Sequence, residues 1–171
     1  MSKLAEIQSP KFTISVSRQC GYNYVEDTCM DRVRPWLYIG SYRDTLNPHL
    51  LAAYKIGAML QLAGPVDHPG IASLYLSLED GLPIPAGLLR QGVDFVITHK
   101  NANQVVLIAC GAGISRSAAF TIATLKEVEG VSLPEALRTV KERHPAALPH
   151  PAIWESLCAY YHENVSLWDM R

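Results

Sequence analysis

A chain of 171 residues, 49% hydrophobic and 18% charged, has the make-up of one folded domain, which excludes a disordered or low-complexity protein. Its formal net charge of −1 argues against a general nucleic-acid binder. No apolar run approaches the ~18 residues of a spanning helix and no signal-peptide pattern opens the chain, so a soluble, cytoplasmic protein that does not contact membrane is expected.

Residues 1–33 are read as an N-terminal extension. Within it, Phe12–Val16 alternates apolar and polar residues as an edge strand would, and Cys20 to Asp31 reads as loop. From there the pattern sharpens. Trp36–Gly40 is a strand closed by glycine, and Ser41 or Asp44 can cap a helix running through Leu50 to Tyr54. Ala58–Ala63 is a buried strand between two glycines. A Pro- and Gly-rich loop follows, then a strand over Leu74–Leu78 with Glu79-Asp80-Gly81 at its end. Ala86 to Lys100 reads as a helix whose stripe is Leu89, Val93, Val96 and Ile97.

Gln104-Val-Val-Leu-Ile-Ala is a strand buried on both faces. Cys110-Gly-Ala-Gly-Ile-Ser-Arg-Ser117 then makes a tight loop that opens a helix reaching about Glu129, with Gly130 ending it. Ser132 and Glu135 form a capping box ahead of a helix with Leu133, Ala136, Leu137 and Val140 on its apolar stripe, stopped by Pro145. The last helix covers Ala152 to about Glu163, with Ile153, Trp154, Leu157 and Tyr161 facing the core. Strands alternating with helices give an α/β fold, one domain with a small, mainly parallel central sheet flanked by helices.

Strand, glycine loop and helix N-terminus together make a site for a tetrahedral oxyanion, because successive amides converge there and the helix dipole adds positive potential. Cys110 stands at its mouth, and Arg116 can fold back over the same point with its planar fork. Such surroundings favour a thiolate. The four cysteines, Cys20, Cys29, Cys110 and Cys158, are too irregularly spaced for a disulfide framework. No paired metal motif is present; Cys20 and Cys29 could share a metal only with a distant histidine.

Cys110, Ala112, Gly113, Ser115, Arg116 and Ser117 match the pattern Cys-x-Ala-Gly-x-Ser-Arg-Ser, which resembles the signature of the dual-specificity branch of the cysteine-dependent protein tyrosine phosphatases. Trp36–Ser41 is similar to that family's opening Leu-Tyr-Leu-Gly-Ser strand. The resemblance makes residues 34–171 a catalytic domain of this type, with most helices on one side of the sheet. It implies a phosphatase acting on phosphotyrosine and phosphoserine or phosphothreonine through a phosphocysteine, on phosphoprotein or phosphopeptide substrates, with no metal or other cofactor. Cys110 would be the nucleophile, and Gly111, Ala112, Gly113, Ile114, Ser115 and Arg116 the phosphate cradle. Ser117 would stabilise the departing thiolate. Asp80, following a strand upstream, would be the general acid, with Glu79 as competitor.

Two positions depart from the family pattern: Ala109 stands where it has histidine, and His150 where it has asparagine. Ala109 keeps open the alternative of a catalytically weak, phosphoprotein-binding pseudophosphatase. His150 reads as a polar loop residue, and His99, His144 and His162 as surface helix residues. No lysine lies between Cys110 and Arg116, which favours a phosphoprotein or aryl phosphate over a polyphosphorylated headgroup.

Overall fold

The computed structural model describes residues 30–167. The expected strand at Phe12–Val16, nearly all of the Cys20–Asp31 loop, Cys20 and Cys29 lie outside the described residues. Within them, β1 (Asp31–Arg34), β2 (Leu37–Ser41), β3 (Ile56–Gln61), β4 (Ala72–Tyr75) and β5 (Val105–Cys110) form one sheet in the order β1-β2-β5-β3-β4. The β2–β5, β5–β3 and β3–β4 pairs are parallel, and β1 alone is antiparallel, at the edge. β5 therefore lies in the middle of the sheet, and Val106, Leu107 and Ile108 are fully buried, as their unbroken apolar run requires.

Helices α3 (Ala86–Asn101), α4 (Arg116–Glu129), α5 (Leu133–Arg143) and α6 (Pro151–Tyr161) cover one face. Val106, Ile108, Phe120, Ile122 and Trp154 join there in the main core. A smaller cluster of Met30, Tyr38, Leu51, Met59, Leu107 and Ala109 fills the other face, under the short helix α2 (Pro48–Ala53). The sheet is thus mixed but mainly parallel, with helices unequally divided between its faces.

The local signals translate into structure with a few shifts. The single helix expected from Ser41 to Tyr54 is two. α1 (Tyr42–Thr45) ends at Leu46, and the Asn47 side chain then accepts from Leu50 N at 3.0 Å while Pro48 opens α2. An Asn cap followed by proline at the first helical position restarts a helix rather than continuing one. Among the described residues the first strand of the sheet starts at Asp31, inside the segment read as extension; β1 has only four residues and an irregular register between Arg32 and Arg34, too short to show alternation. β4 covers Ala72–Tyr75 instead of Leu74–Leu78. Leu76 N still donates to Gln61 O, but beyond it the Leu78 carbonyl accepts from Arg116.

Candidate active site

β5 delivers Cys110 to the carboxyl end of the sheet, beside Ser41 of β2. Residues 111–115 turn, and α4 starts at Arg116. Cys110 is buried, and its Sγ lies 3.2 Å from Oγ of Ser117, itself fully buried in the first turn of α4. Gly113 has φ +75°, and a Cβ there would sit 2.9 Å from the Gly40 carbonyl oxygen. Both conformation and space therefore demand glycine at this point.

The carbonyls of this loop are held from outside by three different segments. Gly111 O accepts from Tyr42 N at 3.4 Å, Ile114 O from Leu148 N at 2.9 Å, and Gly113 O from Nε2 of His144 at 2.7 Å. The Ser115 hydroxyl oxygen also accepts, from His150 N at 3.0 Å. The peptide bonds of this loop are trans, so the C=O and N–H of each unit point in opposite directions. Holding the carbonyls outside turns the amides of Ala112, Ile114 and Ser115 toward the loop's interior. Among the described residues no amide from Gly111 to Ser115 donates to a protein acceptor. Converging amides at the N-terminus of a 14-residue helix form an anion nest with Cys110 at its base.

Arg116 folds back across this nest. Its Nη1 donates to Leu62 O and Leu78 O, both at 2.6 Å, while its buried Nε has no hydrogen-bond partner. Nη2 lies close to Gly111, where a Cβ would come within 3.3 Å of it. One corner of the guanidinium is thus pinned to two carbonyls, and the Nε–Nη2 edge is left for a bidentate oxyanion. Beside the loop is a cleft of ≈ 190 Å³ lined by Asp80, Ser115, Leu148, Pro149, His150 and Pro151. Asp80 is exposed there and accepts from Gly81 N at 3.0 Å; Glu79 is exposed too but does not line the cleft.

The structure therefore brings Cys110, Arg116, Ser117 and the 111–115 loop into one site, with Asp80 at its rim. His144 stands differently from its expected surface role, while His150, exposed in its loop as expected, has a definite part there. His150 caps α6, with Nδ1 accepting from Ala152 N at 3.2 Å, and lines the cleft. His144 is half-buried against the loop, with Nδ1 2.6 Å from Oδ2 of Asp31 as well as its contact to Gly113. The two His144 contacts are not visible in the pattern of residues, because each joins segments far apart in the chain. Among the described residues no group of three His, Cys, Asp or Glu could hold a metal ion, and no helix is long and apolar enough to cross a membrane.

A family described as dual specificity phosphatase, catalytic domain, matches residues 37–163. Dual specificity protein phosphatase 19 of Mus musculus is 30% identical over 148 residues, which cover 82% of this chain and 67% of that protein. Dual specificity protein phosphatase 16 of Homo sapiens is 34% identical over 128 residues, covering 70% of this chain but only 19% of that protein. Among solved structures, human DUSP28 superposes with a TM-score of 0.72 at 28% identity, over 77% of this chain and 95% of that one. A mouse putative dual specificity phosphatase complexed with zinc tungstate gives 0.76 at 26% identity, over 84% and 92%.

Proposed function

The chain belongs to the dual specificity phosphatase family, protein phosphatases that hydrolyse phosphoric monoesters, and on that premise we propose that it cleaves phosphotyrosine and phosphoserine or phosphothreonine through a phosphocysteine intermediate. One observation carries this reading: Cys110 lies beneath amides free to bind an anion, with the open edge of Arg116 above.

The first step forms an S–P bond from the Cys110 thiolate and breaks the P–O bond to the leaving group. The departing oxygen takes its proton from Asp80. The loop amides and Arg116 hold the three equatorial oxygens, whose negative charge must be stabilised throughout the transfer. In the second step water attacks phosphorus, Asp80 takes a proton from it, and the S–P electron pair returns to sulfur. The Ser117 hydroxyl, 3.2 Å away, donates to the thiolate as it leaves.

Around the mouth, Ile114 and Leu148 are each 40% exposed and Leu82, just past Asp80, is 52% exposed. An apolar rim without lysine in the loop supports a phosphorylated protein side chain as substrate, not a headgroup with several phosphates. The nucleophile must stay a free thiol, which supports a reducing, cytoplasmic location.

Ala109 favours a second reading, a phosphoprotein-binding protein that turns over poorly. Rapid mixing with a nitrophenyl phosphate separates the two. The first reading expects steady turnover, with a phosphocysteine trapped on acid quench. Binding of the phosphate without phosphocysteine or turnover sinks it and leaves the second.

A further inference from the structure

His144 follows the last turn of α5, and both of its ring nitrogens are engaged. Nδ1 is 2.6 Å from Oδ2 of Asp31 on β1, and Nε2 is 2.7 Å from the carbonyl oxygen of Gly113. A carbonyl can only accept, and so can an ionised carboxylate. Both contacts are hydrogen bonds at once only when both nitrogens carry hydrogen, that is, when the ring is an imidazolium. A neutral ring would turn a lone pair toward one of the two oxygens. The other charged groups nearby in sequence, Glu142 and Arg143 at the end of α5, are exposed, while the His144 side chain is 13% exposed.

We infer that His144, as an imidazolium braced by Asp31, is a positioning residue for the phosphate loop. Its bond to Gly113 O fixes the peptide whose other end is the Ile114 amide. It also polarises that peptide, because a donor on the carbonyl strengthens the amide as a donor in turn. The charge on His144 reaches the bound oxyanion through one peptide unit and not by contact. The inference adds to the phosphatase reading but is testable apart from it, since oxyanion binding needs no turnover.

Sulfate is a suitable probe because it remains a dianion across the range in which histidine titrates. Its affinity can be measured by calorimetry from about pH 5.5 to about pH 8.5 in the full chain carrying Cys110→Ser, so that the thiol does not contribute. His144→Gln and His144→Arg are added to that background. Gln removes the charge that polarises the Gly113–Ile114 peptide without touching the anion, so it should weaken sulfate binding severalfold at about pH 5.5. Arginine supplies two donors at any pH and should retain most of the affinity while flattening its decline toward alkaline pH. Gln binding as tightly as the parent at about pH 5.5 overturns the inference. So does an Arg variant that binds as weakly as Gln or keeps the parent's pH slope. If Gln does not fold, as seen in its thermal melt, the pH slope of the Arg variant still decides.

Discussion

Two loops meet at the cleft, and the fold secures them by different means. Residues 111–115 are framed by Tyr42, His144 and Leu148, each holding one carbonyl, with His150 holding the Ser115 side chain. Among the described residues, the turn carrying Asp80 has no such frame. Its ties lie on either side, Leu78 O to Nη1 of Arg116 and Ile84 N to Oγ of Ser156 at 2.9 Å, while among the described residues Asp80 itself bonds only to Gly81 N. The loop proposed to bind the anion is framed by the fold itself, and the turn with the proposed acid is tied to it through Arg116. That residue therefore serves both loops.

Removing the proposed nucleophile should have the largest effect. Cys110→Ser should lower kcat on an aryl phosphate by more than about a thousandfold, since an alcohol is not ionised near neutral pH and both loops otherwise remain intact. Oxyanion affinity should survive. Substantial turnover by this variant would take Cys110 out of the chemistry.

Arg116→Lys tests the shared part. A lysine cannot present two parallel donors and cannot keep the ties to both Leu62 O and Leu78 O. The expected loss is roughly a hundred- to a thousandfold in kcat/KM. The leaving-group dependence should also change, because the Asp80 turn loses its anchor. A kcat/KM near that of the parent would show that the two loops are positioned independently of Arg116.

Asp80→Asn touches only the less secured loop. It should slow hydrolysis of phenyl phosphate by about a hundredfold, the low end for a general acid, and hardly affect a highly activated aryl phosphate whose leaving group needs no proton. Equal slowing on both substrates would assign Asp80 a structural part, and Glu79 would be tested next.

The two halves also differ in how well they can be read from the chain. Cys110 to Ser117 and the strand before it are contiguous, and each residue has a local physical reason to be where it is. Gly113 is required by its own φ and by the closeness of Gly40. The frame around the loop is a different matter. Tyr42 and Leu148 contribute backbone amides, which every residue type but proline carries, so no sequence pattern marks them. His144 lies 31 positions from Gly113 and next to a helix end, where a solvated histidine is the ordinary expectation. The strand before Asp80 reads two residues late because its apolar run continues past the ladder, to a carbonyl used by Arg116. β1 is hidden by its brevity, and the helix break at Asn47-Pro48 is a signal on the page that the longer apolar run masks.

A change at the start of α5 gives the baseline for these effects, because it is remote from both loops although the same helix ends beside His144. Ser132 Oγ accepts from Glu135 N at 3.4 Å and donates to Oε2 of Glu135 at 2.7 Å; the Ser132 amide donates to the same oxygen at 2.9 Å. These bonds, the backbone amide first and the hydroxyl second, hold the Glu135 carboxyl below its ordinary range. A carboxylate with a lowered folded value stabilises the fold above the unfolded glutamate value, and that contribution disappears as pH falls through the lower folded value. Ser132→Ala should therefore lower the melting temperature modestly at neutral pH, as loss of a helix cap does. The gap between the two proteins should narrow as pH is lowered through the carboxylate range, which thermal melts at neutral and acid pH would follow. Leu133 N keeps its bond to Oε2 of Glu163, at 3.0 Å, so the first turn is not stripped of partners. Turnover of an aryl phosphate should not change. A fall in kcat/KM with Ser132→Ala would mean that α5 carries strain from its first turn to His144, and the phosphate loop would then be held less independently than its hydrogen bonds indicate.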